Sequence, residues 1–420
     1  MENPRRLLSR IPFYGWVMVA VAGLVILAGA GTRAATGAFL LDIRSDTGWS
    51  TGDIGLAGGA GLLLLGLGGP LTSVLVDRAG VRRVTVGALL LASAGMAGSA
   101  LAREVWQLVL LFGCVAGLGA GLVASSLGPI VASRWFVARR GLVVGIFGAS
   151  ASAGQLIFFP VLTAGALAVG WRWSSIGLAV ALLVAAVPAL LLLREAPSDV
   201  GQRPLGATDD APAGPVRAEP GVMRRAIRTP TFWLLAGTFF VCGATSNGVV
   251  GTHFIAHAAD HGFAPVAASG ALALMGGFNF VGTLASGWLT DRYDPRRLLL
   301  VYYVFRGVSL LYLPALGSSF DIVAFAVLFG LDYIATVPPT VALCADTFGR
   351  RNVGIVYGWV YASHMLGAAL AAWGAGVVRD NLGDYALAYL AAAVMAGFAG
   401  VAALAIRRHA HPAPLATIRA

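Results

Sequence analysis

Twelve apolar runs, each long enough to cross a lipid bilayer, follow one another along this 420-residue chain. They cover residues 13–40, 51–76, 83–102, 105–132, 141–169, 173–193, 231–257, 265–290, 297–316, 320–344, 352–378 and 384–406. A helix needs about 20 apolar residues to cross the ~30 Å hydrocarbon core. No water reaches backbone polar groups there, so only helices and closed barrels can span it, and Gly- and Pro-punctuated runs of this length predict helices. Charged residues make up only 11% of the chain, against roughly 25% in soluble domains. The expected fold class is therefore an all-α membrane protein. Its first apolar run is too long for a signal-peptide core and is read as a retained helix.

The charges set the orientation. All 29 basic residues are arginine. Without lysine, neither a Gly-Lys-Ser/Thr phosphate loop nor a Schiff-base amine can form, so ATP-driven pumping by this chain is not expected. With the N-terminus inside, 23 arginines fall in cytoplasmic segments, Arg44, Arg103, Arg172 and Arg379 fall outside, and Arg33 and Arg306 lie within helices. This asymmetry follows the positive-inside rule and explains the +10 net charge without a nucleic-acid partner. The expectation is a multi-pass protein of the inner (cytoplasmic) membrane, with both termini cytoplasmic and the lipid bilayer as its solvent, working as a monomer. Cys114, Cys242 and Cys344 sit in apolar runs and read as packing residues.

The chain divides in two. Residues 194–230 are polar and carry Pro197, Pro204, Pro212, Pro215 and Pro220, which predicts a flexible cytoplasmic linker between six-helix bundles at 1–193 and 231–420. An internal repeat supports the division. Asp77-Arg78-x-Gly80-x-Arg82-Arg83 recurs 214 residues later as Asp291-Arg292-x-Asp294-Pro295-Arg296-Arg297, and Gly141, Gly145 and Gly154 recur as Gly354, Gly358 and Gly367 at an offset of 213. Such duplication is a mark of secondary transporters. Gly113, Gly117 and Gly121 on the fourth helix, and Gly141 and Gly145 on the fifth, predict close helix contacts. Gly128-Pro129 and Pro338-Pro339 predict bends or breaks at equivalent places in the fourth and tenth helices.

The repeated Asp-Arg loop resembles the signature of the major facilitator superfamily. That resemblance implies two pseudo-symmetric six-helix bundles, with Asp77, Arg78, Asp291 and Arg292 latching the cytoplasmic helix ends. Within the superfamily the chain looks like bacterial relatives of the monocarboxylate porters. The likeness rests on Tyr14-Gly15-Trp16, on Arg33 with Gly37-Ala38-Phe39-Leu40-Leu41 before Gly48-Trp49-Ser50, and on Trp135-Phe136-x-x-Arg139-Arg140-Gly141. Those porters usually carry an Asp/Arg pair or an Arg in helix 8, where this chain has only Asn279 and Thr283.

A charge at the bilayer midplane costs at least about 2.5 kcal/mol, so charges inside the spans are candidate functional groups. Arg33 is expected to bind a substrate anion, because guanidinium forks onto a carboxylate, with snorkelling as the plain alternative. Arg306 lies about 13 Å along its helix from Arg297, and Asp332 about 18 Å from Phe320, so both approach the midplane. Asp332 then takes the coupling proton and releases Arg306, or the two form a fixed structural pair. His364, at similar depth, is a candidate proton relay or a neutral hydrogen-bonding group. His253 and His257, one turn apart, suggest an outer gate more than a metal site. Asn247, Asn279 and Gln155 are isolated amides expected to face the substrate or tie helices together, and Tyr361 is expected to line the same cavity. The expected function is alternating-access transport of a small organic anion of monocarboxylate type, coupled to protons. The alternatives are an exporter or uniporter of a neutral or drug-like solute, an anion exchanger, or a membrane receptor. No enzyme activity, cofactor or metal is expected.

Overall fold

The computed structural model describes residues 13–124, 127–207 and 219–407. Pro212 and Pro215 of the linker lie outside the described residues, as do both chain ends. Twelve long helical segments make up the architecture. In chain order they are α1 (Gly15–Thr47), α2 (Thr51–Ala79), α3 (Val81–Ser99), α4 (Val105–Trp135, residues 125 and 126 excepted), α5 (Arg140–Val169) and α6 (Trp171–Leu192). The second set is α7 (Pro230–Asp260), α8 (Pro265–Thr290), α9 (Pro295–Tyr312), α10 (Ser319–Phe348), α11 (Val353–Leu382) and α12 (Ala386–Leu404). Among the described residues eleven helices are long and apolar enough to cross a membrane. The exception, α3, opens on Arg82 and Arg83.

Local chemistry sets the helix ends. Ser50 and Asp53 cap α2 reciprocally, Ser318 and Asp321 do the same for α10, and Thr229 accepts from Phe232 N–H at the start of α7. Pro230, Pro265 and Pro295 occupy first helical positions, where a missing N–H costs nothing. Helix α1 runs past its apolar stretch to Thr47. Its polar end is held by Asp46, which accepts from the Trp171 indole at 3.0 Å and pairs with Arg172.

Helix α10 breaks where the proline pair predicts. Residues 333–336 form turns between Ser319–Asp332 and Val337–Phe348. Pro338 and Pro339 have no N–H, so the carbonyls one turn earlier need other donors. Ala335 O takes the Ser286 hydroxyl at 2.6 Å, and Val337 N–H turns back to Ile334 O at 2.9 Å. In α4 the described helical segment Leu127–Trp135 carries Pro129. Nothing in the hydropathy or spacing anticipates two wide π-helical stretches, Val109–Ala116 in α4 and Ala244–Val250 in α7.

The repeat is visible in the packing. Helix α2 packs on α11 across the midline, and α8, the counterpart of α2, packs on α5, the counterpart of α11. Contact between the halves runs from mid-depth to the end opposite the termini. At that far end α2 presents Gly55 and Gly59, where a Cβ would come within 2.4 Å of Ala372 O and 2.6 Å of Ala369 O on α11. Only glycine permits this approach. Next to it Asp380 of α11 accepts from Thr51 N–H at 3.0 Å and Gly52 N–H at 2.7 Å, so a carboxylate from one half caps a helix N-terminus of the other. Asp380→Ala is expected to loosen this end. A cysteine introduced at Thr36 should then react roughly five to ten times faster with an impermeant maleimide added opposite the termini. An unchanged rate would show that Asp380 does not latch the halves.

Near the termini the halves stand apart. A Cβ at Gly141, Gly145 or Gly148 of α5, or at Gly354 or Gly358 of α11, would meet nothing within 4 Å among the described residues. The close contact expected of Gly141 and Gly145 is therefore not made here, because the halves part at this end. Gly117 does pack backbone to backbone on Gly61, and Gly121 on Leu65. The segment expected as a flexible linker is docked at both described ends. Glu195 accepts from Val81 and Arg82 N–H at the start of α3, and Tyr14 N–H donates to Gln202. Glu219 accepts from Arg351 and Arg225, which hold its carboxyl below the usual carboxylate range. Its backbone N–H donates to Asn352 Oδ1 at 2.9 Å.

Candidate functional site

A small cavity of about 10 Å³ lies between the halves at mid-depth. The first half lines it with Arg33 and Thr36 of α1, Leu62 of α2, and Gln155 and Phe159 of α5. The second half adds Asn247, Gly251 and Thr252 of α7 and Tyr333 of α10. A neighbouring cavity runs behind Arg33 into the first half, past Thr32, Gly58, Gly61 and Phe112. Arg33 borders both. Among the described residues it makes no ion pair and no hydrogen bond, and no Asp, Glu or His lines either cavity. Its guanidinium therefore keeps N–H donors without a partner among the described residues beside both cavities.

A polar relay leads from this cavity into the second half. The Tyr333 hydroxyl donates to Asn247 Oδ1 at 2.6 Å, and Asn247 Nδ2 lies 3.2 Å from His364 Nε2. An amide whose oxygen is taken by Tyr333 turns its NH₂ to the imidazole, so Nε2 accepts in this arrangement. Tyr361 does not line the cavity as expected. It stacks on His364 with ring centroids 5.6 Å apart, one layer behind the cavity wall. The wide π-turn of α7 places Asn247, Gly251 and Thr252 on this one side.

Arg306 and Asp332 do meet, with Nε 2.6 Å from Oδ2, and both are fully buried. Neither lines the two cavities. Arg306 Nη2 donates to Asp332 O at 2.9 Å and Tyr333 O at 3.2 Å, and Nη1 reaches Cys242 O, Cys242 Sγ and Thr245 Oγ1. Val337 N–H has turned from Tyr333 O to Ile334 O at the helix break, and Arg306 supplies Tyr333 O with a donor in its place. Asp332 Oδ1 has no hydrogen-bond partner among the described residues.

The other expected site residues lie elsewhere. Asn279 joins α8 to α5 through Ser152 Oγ at 3.4 Å and does not line the cavity. His253 is buried between Ala372 O at 2.7 Å and the Tyr385 hydroxyl at 3.3 Å, and His257 meets Leu313 O at 2.9 Å. Every one of these partners belongs to the second half, so among the described residues neither histidine bonds across the halves. Asp77 pairs with Arg134 at 4.0 Å, Arg134 also reaches Glu195 at 3.5 Å, and Arg292 covers the Trp288 ring at 4.0 Å. Nothing in the sequence singles out Thr36 and Thr252, although Thr36 lies one helical turn from Arg33.

The sequence model of the Major Facilitator Superfamily matches residues 21–331 and 245–419. The chain belongs to the major facilitator superfamily. It is a multi-pass membrane transporter of small-molecule substrates and not an enzyme. Monocarboxylate transporter 13 of Rattus norvegicus is 25% identical over 384 residues, covering 90% of this chain and 86% of its own length. Monocarboxylate transporter 11 of Mus musculus is 29% identical over 398 residues, covering 90% and 84%. The uncharacterized MFS-type transporter YcxA of Bacillus subtilis (strain 168) is 25% identical over 332 residues, covering 78% and 79%. A bacterial homolog of the human lysosomal transporter Spinster, solved inward-facing and occupied, shares the superfamily fold with a TM-score of 0.72 at 15% identity, over 94% of this chain and 97% of that one.

Proposed function

We propose that this transporter moves a small organic anion of monocarboxylate type by alternating access, with proton symport. The observation that carries the reading is Arg33, a cation without a protein partner among the described residues, facing a cavity between the halves. Gln155, Asn247 and Thr36 supply neutral hydrogen-bonding groups around the bound anion. His364 is the coupling group, because Asn247 and Tyr333 join it to the cavity. Arg306 and Asp332 brace the break in α10. The arginine asymmetry supports cytoplasmic termini, and with them there the gap between the halves opens inward. Named monocarboxylate transporters among the relatives support the substrate class.

Anion exchange is the second reading, favoured because no acidic or imidazole side chain among the described residues lines either cavity. Proteoliposomes with a pH-sensitive dye inside separate the two. Lactate, pyruvate, formate and oxalate would be added one at a time. Symport predicts that one acid drives saturable internal acidification and that His364→Gln uncouples it. Acid counterflow without proton movement would establish exchange, and no movement of any acid would overturn the anion reading.

A further inference from the structure

The relay does more than connect His364 to the cavity. We propose that Asn247 is a rotating positioning residue, whose amide flip on protonation of His364 turns the Tyr333 hydroxyl into a donor for the bound anion. The inference rests on the proposed anion site at Arg33.

Hydrogen-bond polarity drives the flip. With neutral His364, Asn247 gives its NH₂ to Nε2 and takes the Tyr333 proton on Oδ1. The Tyr333 O–H is then spent within the protein. A proton arriving on Nε2 makes that nitrogen a donor, and two donors cannot share a hydrogen bond. Rotating the amide by half a turn puts Oδ1 against Nε2–H and Nδ2 against the Tyr333 oxygen. Tyr333 now accepts from Asn247, and its own proton is free to point into the cavity it lines with Arg33. The proton stays on His364 throughout, and no covalent bond changes other than its N–H. Because protonation adds a donor at the anion site, an anion there favours protonation in return, as linkage requires.

The surroundings of His364 leave few competing charges. On α7 it faces Phe239 and Cys242, on its own helix Tyr361, and through Asn247 it reaches Tyr333 of α10. Arg33 of α1 lies within electrostatic reach of Tyr333 and Tyr361, and Arg306 and Asp332 form a closed pair beyond Cys242.

The test measures binding of the same four acids to purified protein in nanodiscs at about pH 5.5 and about pH 8, a range in which such acids stay ionised and histidine changes charge. Wild type should bind its acid about tenfold more tightly at the lower pH, the effect of one added hydrogen bond to a charged group. Tyr333→Phe keeps the imidazole but removes the hydroxyl, and His364→Gln removes the imidazole. In both, affinity should change less than about twofold between the two pH values. A tenfold pH effect that survives in Tyr333→Phe overturns the proposal, since His364 would then act through space, while the anion site stands. Binding independent of pH in wild type also overturns it. If no acid binds wild type at either pH, the anion reading fails and takes this inference with it.

Discussion

Arg306→Leu should melt well below wild type. The substitution leaves the Asp332 carboxylate buried without a counter-charge, strips Tyr333 O of its donor and leaves Asp332 O with only the Ala335 N–H at the break in α10. Removing one partner of a buried pair typically costs about 3–5 kcal/mol, or about ten degrees in melting midpoint for a bundle of roughly 200 residues. Arg306→Leu combined with Asp332→Leu should recover part of the loss, because two apolar side chains can replace a buried ion pair. Recovery should be incomplete, since the freed carbonyl of Tyr333 still lacks a donor. Unfolding followed by intrinsic fluorescence in detergent gives the ranking. A single variant as stable as wild type would mean that the pair does not brace the helix.

Arg33→Gln should behave in the opposite way. Arg33 has no partner among the described residues, so the variant should fold and melt like wild type. Anion binding should fall about 10- to 150-fold, the value of losing a charged hydrogen-bond donor pair. Arg33→Lys keeps the charge but loses the fork and should fall between the two. Uptake and melting measured on the same preparations separate the two arginines: one carries function without stability, the other stability first. Unchanged anion uptake in Arg33→Gln would remove Arg33 from the site.

Much of this architecture is legible in the unfolded chain. Apolar length is a local property, and in lipid it leaves a segment little choice but to be helical, so the twelve runs and the duplication can be read residue by residue. The cost of an intramembrane charge singles out Arg33, Arg306 and Asp332, and a rise of about 1.5 Å per residue places the last two at matching depth. The proline pair marks the break in α10.

Rotation about the helix axis and the end at which the halves close are not readable in this way. Depth alone cannot say that Arg306 turns into the wall between α7 and α10 while Arg33 turns into a cavity. Gly141 and Gly145 carry the same spacing as Gly113 and Gly117, yet only the latter pair packs, because the halves part where the former lie. Asp380 reads as an ordinary helix-end charge, and its role depends on the N-terminus of α2, 328 residues away at Gly52. The Tyr333–Asn247–His364 relay joins three helices through side chains whose directions depend on a π-turn and a broken helix. Hydropathy and spacing are sums along one dimension, whereas which polar atoms meet is decided by how twelve helices turn against one another.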